Sequence, residues 1–223
     1  KQEMEKVWDI ISTFYTSFGF ELETRLSFHD PEHKEKYLGS PETWAFAEKQ
    51  LKELVDEKKV EATITPGEAA FYGPKIDFLA SDSIGRKWQV ATIQLDMNMP
   101  ERFDLTCINE EGANERIVMI HAAIMGSIER FMSIIIEHFA GNFPTWLAPV
   151  QVALLPISDK HIDYTEKVAH DLRIMLPDLR FTIDDRSESI GKKIREASVQ
   201  KIPYQIIMGD KEKENSQIAV RTQ

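Results

Sequence analysis

The sequence predicts two domains of different fold class, an α+β domain built on an antiparallel sheet and, after it, an α/β domain. In residues 1–147, two helical patterns accompany alternating and β-branched runs that short, turn-rich pieces separate. After the proline-containing segment PTWLAPV (144–150), strand patterns alternate with helix patterns, which is typical of parallel pairing. We therefore expect one domain over residues 1–147 and another over residues 148–223.

Two helices are predicted at the start of the first domain. The first runs from Met4 to Phe18, where apolar residues recur at helical spacing until Gly19 ends the run. The second begins after Ser40, which has the form of an N-cap followed by Pro41 in the first helical position. Its apolar face consists of Trp44, Ala47, Leu51, Leu54 and Val55.

Strand patterns make up most of the remaining chain. In the first domain they are FELETRLS (20–27), VEATIT (60–65), KIDFLA (75–80), RKWQVATIQL (86–95), FDLTCIN (103–109) and ERIVMI (115–120). Short loops between consecutive strands imply antiparallel pairing, and a helix over residues 121–138 is expected to follow. In the second domain the order is VQVALLPI (150–157), a helix over 161–175, RFTIDD (180–185), a helix over 190–200, YQIIMGD (204–210) and QIAVRT (217–222).

The composition excludes several classes of protein. A single cysteine rules out an internal disulfide framework, no secretion signal is visible, and no apolar run approaches the ~20 residues of a membrane span, so we expect a soluble, cytoplasmic protein. The net charge of −10 argues against indiscriminate nucleic-acid binding. However, residues 1–148 contain 15 Lys+Arg and 25 Asp+Glu, whereas residues 149–223 contain 12 of each. Within the second part, residues 186–201 carry five basic and two acidic residues, which form either a phosphate-binding patch or a solvated helix face.

The stretch MIHAAIMGSIERF (119–131) places polar residues in an apolar helical pattern. Gly126 would let another backbone approach, and Ser127 and Arg130 would share a helix face. A buried guanidinium needs an anion or a planar partner, and a nucleotide supplies both. A packing glycine with a solvated Glu129–Arg130 pair is equally consistent, and a histidine such as His121 is more often a core residue than a ligand.

Two further segments carry polar residues in otherwise apolar strands. The segment FYGPKID (71–77) puts an aromatic hydroxyl and an amine beside a Gly-Pro turn. In WQVATIQLD (88–96), strand alternation places Thr92 and Gln94 on one face and Gln89 on the other, unless a bulge intervenes. Amides and hydroxyls that line a sheet favour a pocket for a small polar ligand.

These segments together resemble a known family. FYGPKID, ATIQLD, PERFDLT, MIH…GSIERF and FPTWLAPVQV, with KKIREA, KIPY and MGDKE in the second domain, are similar to the bacterial type of threonyl-tRNA synthetase. The resemblance implies part of the antiparallel catalytic sheet of a class II synthetase, with GSIERF as its motif 3. It also implies an anticodon-binding α/β domain on a mixed sheet, truncated at its C-terminal end.

The resemblance also implies roles for individual residues. The threonine pocket would contain Tyr72 and Gln94. The ATP or adenylate site would contain Gln89, Thr92, Ser127 and Arg130, with Arg130 as the catalytic residue. The tRNA would contact Lys75, Ser187, Glu212 and Arg221. His121 would be one of three Zn²⁺ ligands. The implied reaction activates L-threonine with ATP and Mg²⁺ and transfers it to tRNA(Thr), in a homodimer without membrane attachment.

Several departures from the family pattern are visible. Motifs 1 and 2 and the other two zinc ligands are missing, so we expect a C-terminal fragment that is inactive alone. Cys107 is expected to be a core thiol, and His29 and His33 to lie in a solvated loop. Ala122 and Ser187 replace the family's usual arginine and asparagine. A non-catalytic, synthetase-like tRNA-binding protein and another class II synthetase are the alternative interpretations.

Overall fold

The computed structural model describes residues 1–222, which divide into two compact units, Lys1–Ile135 and a second that begins at Ile136. The helices are α1 (Gln2–Ser17), α2 (Pro41–Lys58), α3 (Met99–Arg102), α4 (Ile128–Phe139), α5 (Ile162–Met175), α6 (Ile190–Val199) and α7 (Asp210–Asn215). The strands are β1 (Leu22–Phe28), β2 (Ala62–Pro66), β3 (Lys75–Ser81), β4 (Lys87–Asp96), β5 (Thr106–Ile108), β6 (Asn114–Arg116), β7 (Met119–Ala123), β8 (Val152–Pro156), β9 (Phe181–Ile183), β10 (Tyr204–Met208) and β11 (Ala219–Thr222). Two short 3-10 turns cover Lys34–Lys36 and Asp159–His161.

The sheet of the first unit has the strand order β2-β1-β3-β4-β7. Its β1–β3, β3–β4 and β4–β7 pairs are antiparallel, as predicted, but β1 and β2 are parallel. The prediction failed for this pair because α2 connects the two strands, and a crossover helix returns the chain in the same direction. Strands β5 and β6 form a separate antiparallel ladder whose residues are all exposed. The predicted strand ERIVMI is therefore divided between β6 and β7.

Helices α1 and α2 form the core with one face of this sheet. Helix α1 buries Met4, Trp8, Ile11 and Tyr15, and α2 buries the five apolar residues that its sequence pattern predicted. The ring of Trp8 meets that of Phe78 on β3 edge-on, with centroids 4.8 Å apart. The Ser40 hydroxyl accepts a hydrogen bond from the Thr43 amide at 3.2 Å, as expected of an N-cap.

The segment 119–138 differs from its prediction. A helix was expected over residues 121–138, but residues 119–123 form β7, in which His121 lies opposite Gln94 of β4. Gly126 has a φ of +64°, a backbone conformation that no α-helix contains, and α4 begins only at Ile128. Hydrophobic periodicity alone could not distinguish a short apolar strand from the first turns of an apolar helix.

The second unit contains a mixed sheet with the order β11-β10-β8-β9, as expected. Strands β8, β9 and β10 are parallel, and β11 is antiparallel to β10. One face packs around Val152, Leu154, Ala169, Ile206 and Met208, and the other around Ala153, Leu155, Ala197 and Ile202. In residues 1–222, no helix has the length and apolar character needed to cross a membrane.

Candidate functional site

A fully buried carboxylate organises the polar face of the first sheet. Asp77 on β3 has no exposed surface, and its Oδ2 accepts hydrogen bonds from the Ser27 hydroxyl at 2.6 Å and from Nη2 of Arg25 at 3.1 Å. The Lys75 ammonium lies 3.1 Å from the same oxygen. A buried charge is tolerated only when it is paired and hydrogen-bonded, and Asp77 meets both conditions.

A β-bulge brings two of the predicted site residues to the other oxygen of Asp77. The β3–β4 pairing skips Val90, so Gln89 projects from the same face as Thr92. The Gln89 amide and the Thr92 hydroxyl then donate to Oδ1 of Asp77 at 2.7 and 2.9 Å. The sequence allowed for a β-bulge in this strand, and the bulge is present. It brings Gln89 and Thr92 to one face of the sheet, whereas strict alternation would place them on opposite faces.

The carbonyl of the bulged residue Val90 has one hydrogen-bond partner and one close backbone neighbour. The Tyr15 hydroxyl of α1 donates to the Val90 oxygen at 3.0 Å, and burial raises the pKa of this tyrosine well above its ordinary value. An ideal Cβ on Gly126 would lie 3.3 Å from the same oxygen. The expected close backbone approach at Gly126 is therefore present, although it occurs in a turn and not in a helix.

A second polar cluster lies further along the same strands. The Tyr72 hydroxyl donates to Oε1 of Gln94 at 2.9 Å, and the rings of Tyr72 and His121 are 5.2 Å apart. Nε2 of His121 lies 2.9 Å from Oδ2 of Asp96, whose side chain has no exposed surface. The structure thus brings the two predicted threonine-pocket residues next to the predicted metal ligand.

Asp96 also fixes the turn that follows β4. Its Oδ1 accepts hydrogen bonds from the backbone amides of Asn98 and Met99 at 3.0 and 2.9 Å. The Asn98 side-chain amide donates to the Tyr72 carbonyl at 2.8 Å. Opposite Asn98, Gly39 has a φ of +85°, and a Cβ there would lie 2.0 Å from the Asn98 side-chain oxygen. Only glycine fits at that position.

The predicted nucleotide residues on α4 lie at the start of the helix. The Ser127 hydroxyl accepts a hydrogen bond from the Arg130 amide at 3.3 Å. Arg130 is exposed, as the alternative of a solvated Glu129–Arg130 pair predicts, and its Nη1 lies 3.4 Å from the Gln89 carbonyl. Exposure leaves the guanidinium accessible to an anion.

Sequence reasoning overlooked the residues that support these clusters. The sequence did not single out Arg25, Ser27, Asp77, Asp96 or Asn98. All of them except Ser27 form a hydrogen bond with a residue that it did single out, and Ser27 donates to Asp77. A usable signal existed for Asp77 and Asp96, because both continue the period-2 polar pattern of Thr92 and Gln94 on paired strands.

No group of three metal-ligating side chains occurs in the described part of the chain. Cys107 is exposed on β5, which corrects the expectation of a core thiol. His33 is exposed as expected, but His29 is half-buried, and its Nδ1 lies 2.7 Å from a Glu48 carboxylate oxygen. Among these residues, only His121 remains a candidate metal ligand, and it offers one nitrogen.

In the second unit the predicted tRNA contacts lie on different elements. Ser187 is exposed in the loop after β9, and Arg221 is exposed on β11 opposite Gln205. Glu212 caps α7, because its Oε2 accepts a hydrogen bond from the Gly209 amide at 2.9 Å.

The basic segment 186–201 contains less free positive charge than its composition suggests. Arg186 pairs with Asp184 and Glu196, and Lys192 pairs with Glu188. Two basic residues, Arg195 and Lys201, are exposed and form no ion pair within residues 1–222.

Lys193 belongs to this segment but is not a surface residue. It is 2% exposed, and its ammonium donates to the carbonyls of Pro156 and Asp184 at 3.0 and 2.9 Å. These carbonyls lie at the carboxyl end of β8 and just after β9, so the buried ammonium joins the two chain segments there.

Two family models match the chain. The model described as "tRNA synthetase class II core domain (G, H, P, S and T)" matches residues 1–139, and "Anticodon binding domain" matches residues 151–223. The chain belongs to the class II tRNA synthetases. The predicted domain boundary lies between the two matched ranges.

Several curated relatives of the chain are named threonine-tRNA ligases. That of Phocaeicola vulgatus is 49% identical over 224 residues, covering 100% of this chain and 34% of the relative. That of Thermotoga maritima is 50% identical over 222 residues, again covering 100% of this chain and 34% of the relative. A crystal structure of the RNA binding domain of threonyl-tRNA synthetase from Cryptosporidium parvum Iowa II matches with a TM-score of 0.91 and 35% identity, covering 99% of this chain and 54% of that one. The chain thus spans about a third of the length of the curated relatives it matches.

Proposed function

We propose that this class II synthetase chain forms part of a threonine-tRNA ligase. The threonine carboxylate attacks the α-phosphorus of ATP, and the bond to pyrophosphate breaks. A ribose hydroxyl at the 3′ end of tRNA(Thr) then attacks the threonyl carbonyl, and AMP leaves. The observation that carries the proposal is the polar sheet face on which Gln94 and His121 adjoin Gln89 and Thr92. Tyr72 contacts this face through Gln94, and Arg130 of α4 contacts it through the Gln89 carbonyl. The relatives' names support the choice of threonine. Because the chain spans about a third of their length, we assign the reaction to a protein of that length that contains this chain.

The threonine end of the site consists of Tyr72, Gln94 and His121. A hydroxyl and an amide already joined at 2.9 Å can recognise the polar groups of the amino acid. Valine, which is nearly isosteric with threonine, is excluded by only about 10²-fold in a hydrophobic pocket, so discrimination requires groups that bind the hydroxyl. His121 fits as one ligand of Zn²⁺, because its Nε2 contacts Asp96 while Nδ1 makes no hydrogen bond within residues 1–222. When bound, zinc would act as a Lewis acid toward the threonine amino and hydroxyl groups.

The nucleotide end of the site consists of Gln89, Thr92, Ser127 and Arg130. The first two are fixed by Asp77, so they are preorganised before any ligand arrives. The exposed guanidinium of Arg130 can pair with phosphate or stack on a base, and the Mg²⁺ that accompanies ATP would neutralise further phosphate charge.

The tRNA contacts and the assembly complete the proposal. Lys75 would lie near the tRNA 3′ end, while Ser187, Glu212 and Arg221 would read anticodon bases. The full ligase would act in the cytoplasm as a homodimer, with no membrane partner. Residues 149–223 contain equal numbers of acidic and basic residues, so this part of the chain has no net charge that would repel RNA.

Threonine-dependent exchange between ATP and pyrophosphate tests this function. It should be measured, together with zinc content, on the full-length product of the gene that encodes the chain. We expect exchange with threonine but not with proline, and about one zinc per chain. Arg130→Ala should lower kcat/KM for ATP by about 10²- to 10³-fold, whereas Arg102→Ala, at another exposed arginine, should leave it unchanged. Exchange with proline or serine in place of threonine would identify a sister synthetase and reject the proposal.

One observation favours a second candidate, a non-catalytic tRNA-binding protein. The match to the model described as "Anticodon binding domain" covers residues 151–223, and a domain of this kind can bind tRNA without any catalytic step. This candidate predicts tRNA binding without measurable ATP binding in equilibrium dialysis of the same full-length protein. ATP binding that Arg130→Ala abolishes would exclude it.

A further inference from the structure

The buried carboxylate of Asp96 connects the two side chains that flank Gln94, although the proposed reaction does not use it. One oxygen of Asp96 faces Nε2 of His121, and the other accepts the backbone amides of Asn98 and Met99. Its side chain has no exposed surface, so solvent cannot replace any of these three partners.

The partners of Asp96 determine which nitrogen of His121 carries the proton. An ionised carboxylate only accepts hydrogen bonds, so the imidazole nitrogen at 2.9 Å from Oδ2 must be the N–H donor. In a neutral imidazole with Nε2–H, the lone pair is on Nδ1. Within residues 1–222, Nδ1 makes no hydrogen bond, and the His121 side chain is 37% exposed.

We propose that Asp96 is a positioning residue that fixes His121 as its Nε2–H tautomer and thereby presents the Nδ1 lone pair to a ligand. The ligand class is a Lewis acid, and this part of the inference, which rests on the proposed function, takes Zn²⁺ as that ligand. Second-shell carboxylates commonly orient metal-binding histidines in this way.

The same carboxylate also positions Tyr72 through a second path. By accepting the amides of Asn98 and Met99, Asp96 holds the turn from which the Asn98 side chain donates to the Tyr72 carbonyl. The Asn98 side chain packs directly against Gly39, where a Cβ would lie 2.0 Å from the Asn98 side-chain oxygen. The buried carboxylate of Asp96 therefore positions both Tyr72 and His121, whose ring centroids are 5.2 Å apart.

Asp96→Asn is the informative variant because the neighbouring groups allow the new side-chain amide only one orientation. The Asn98 and Met99 amides are obligate donors, so the carbonyl oxygen of the new side chain must stay with them. Its NH₂ group then faces Nε2 of His121, which must become an acceptor. The imidazole proton is forced to Nδ1, and the lone pair disappears from the ligand side.

The tautomer can be measured by ¹⁵N–¹H correlation of the imidazoles in the 223-residue chain, with His121→Gln used to assign the signals. We expect Nε2–H in the wild-type chain and in the control Asp171→Asn, which alters an exposed carboxylate on α5, and Nδ1–H in Asp96→Asn. Nδ1–H in the wild-type chain would overturn the proposal even if Asp96→Asn failed to fold. The same tautomer in wild type and folded Asp96→Asn would also overturn it.

Zinc affinity of the full-length protein separates this inference from the proposed function. A lost carboxylate contact at a metal-bound histidine typically weakens metal affinity by 10- to 100-fold. We expect that loss in Asp96→Asn, with the KM for ATP unchanged. Equal zinc affinity in wild type and variant would overturn the positioning role in metal binding. If the wild-type protein bound no zinc, the metal part of the proposed function would fail, while the tautomer measurement would still decide the role of Asp96.

Discussion

Asp77 holds more of the site together than any residue that the sequence singled out. Its carboxylate accepts hydrogen bonds from Ser27, Arg25, Gln89 and Thr92 without any exposed surface of its own. Two cations and three neutral donors are therefore arranged by a single acceptor, since Lys75 also lies at its Oδ2.

Removal of this carboxylate should be far more damaging than removal of one of its partners. Asp77→Ala leaves the cations of Arg25 and Lys75 unpaired beside buried backbone, and loss of one member of a buried ion pair costs about 3 to 5 kcal/mol. Ser27→Ala, which deletes one hydrogen bond, should cost about 1 kcal/mol. Urea denaturation of both variants measures the difference, and equal losses would contradict a central role for Asp77.

Tyr72 offers a test of the threonine pocket in which only one atom changes. Tyr72→Phe removes the donor to Gln94 but keeps the ring beside His121. One hydrogen bond contributes about 0.5 to 1.5 kcal/mol, so KM for threonine in the exchange assay should rise about 3- to 10-fold while KM for ATP stays constant. Tyr164→Phe is the matched control, because its hydroxyl donates to the Gln217 carbonyl in the second unit. A similar change in both variants would argue against a pocket role for Tyr72.

The site residues show what a sequence can and cannot reveal at this scale. Gln89, Thr92 and Gln94 were recognisable because amides and hydroxyls are unusual in a strand that is otherwise core-like. The polar pattern marks Asp77 as a member of the same face, but it does not specify the central role of Asp77, because an aspartate in an alternating strand is equally compatible with a solvated face. Its burial depends on β1 and β4 lying on either side of β3, which only the tertiary fold specifies.

At the scale of elements, the bulge of β4 and the turn before α4 depend on each other. Gly126 has a φ of +64°, and a Cβ there would press on the Val90 carbonyl that forms the bulge. Gly85 has a φ of +81° but no atom within 4 Å of its Cβ position.

Substitution of these two glycines therefore distinguishes two costs: the cost of a left-handed backbone, which both share, and the cost of a steric contact, which only Gly126 has. Gly85→Ala should cost about 1 to 2 kcal/mol, the penalty of a left-handed alanine. Gly126→Ala should cost more than Gly85→Ala, because the Val90 carbonyl must also move, and Gln89 and Thr92 should then bind the nucleotide less well. Thermal denaturation gives the first quantity, and KM for ATP the second. Indistinguishable stabilities would mean that the bulge adapts without cost.

The loop after β9 should make the second unit sensitive to acid. Hydrogen bonds from Arg186 lower the pKa of Asp184 below its ordinary value of 3.8, although partial burial opposes this. A carboxyl whose folded pKa is depressed contributes stability that is fully present above its unfolded pKa and disappears as the pH falls through the folded pKa. Asp184→Asn should thus reduce the free energy of unfolding at pH 7, and the difference from wild type should shrink below about pH 4. Denaturant titrations across this range measure it, and a difference independent of pH would refute this linkage.

Elements with long apolar periodicity were predictable, whereas short ones were not. The α1 and α2 patterns predicted the buried faces that the structure shows, because four to five turns provide enough repeats. The segment MIHAA is only five residues long, and its strand character comes from pairing with β4, a contact distant in sequence. The parallel β1–β2 pair has a related cause, because it depends on α2 returning the chain so that β2 lies beside β1 in the same direction.

At the scale of the whole chain, charge is unevenly distributed along the sequence. The acidic excess lies entirely in residues 1–148, and most basic groups of the segment 186–201 are neutralised or buried. RNA binding should therefore depend on a few free cations, of which Arg195 and Lys201 are the exposed ones in that segment.

The salt dependence of tRNA binding tests this charge distribution. The plot of log K against log salt has a negative slope, and each lost phosphate contact reduces the magnitude of that slope by about 1. The double variant Arg195→Gln with Lys201→Gln should therefore reduce it by about 2. The control Lys192→Gln, which removes a cation already paired with Glu188, should change the slope little. Fluorescence anisotropy with a tRNA(Thr) transcript at several salt concentrations gives these slopes. An unchanged slope in the double variant would place the phosphate contacts elsewhere.

The buried ammonium of Lys193 can be used to measure local unfolding of the second unit. An acylating reagent such as acetic anhydride modifies exposed amines quickly, but it reaches Lys193 only when the contacts with the Pro156 and Asp184 carbonyls separate. The ratio of acetylation rates at Lys193 and at exposed Lys201, followed by peptide mass spectrometry, therefore measures the free energy of that opening under native conditions. A bound RNA that stabilises the second unit would slow acetylation of Lys193 without having to touch it.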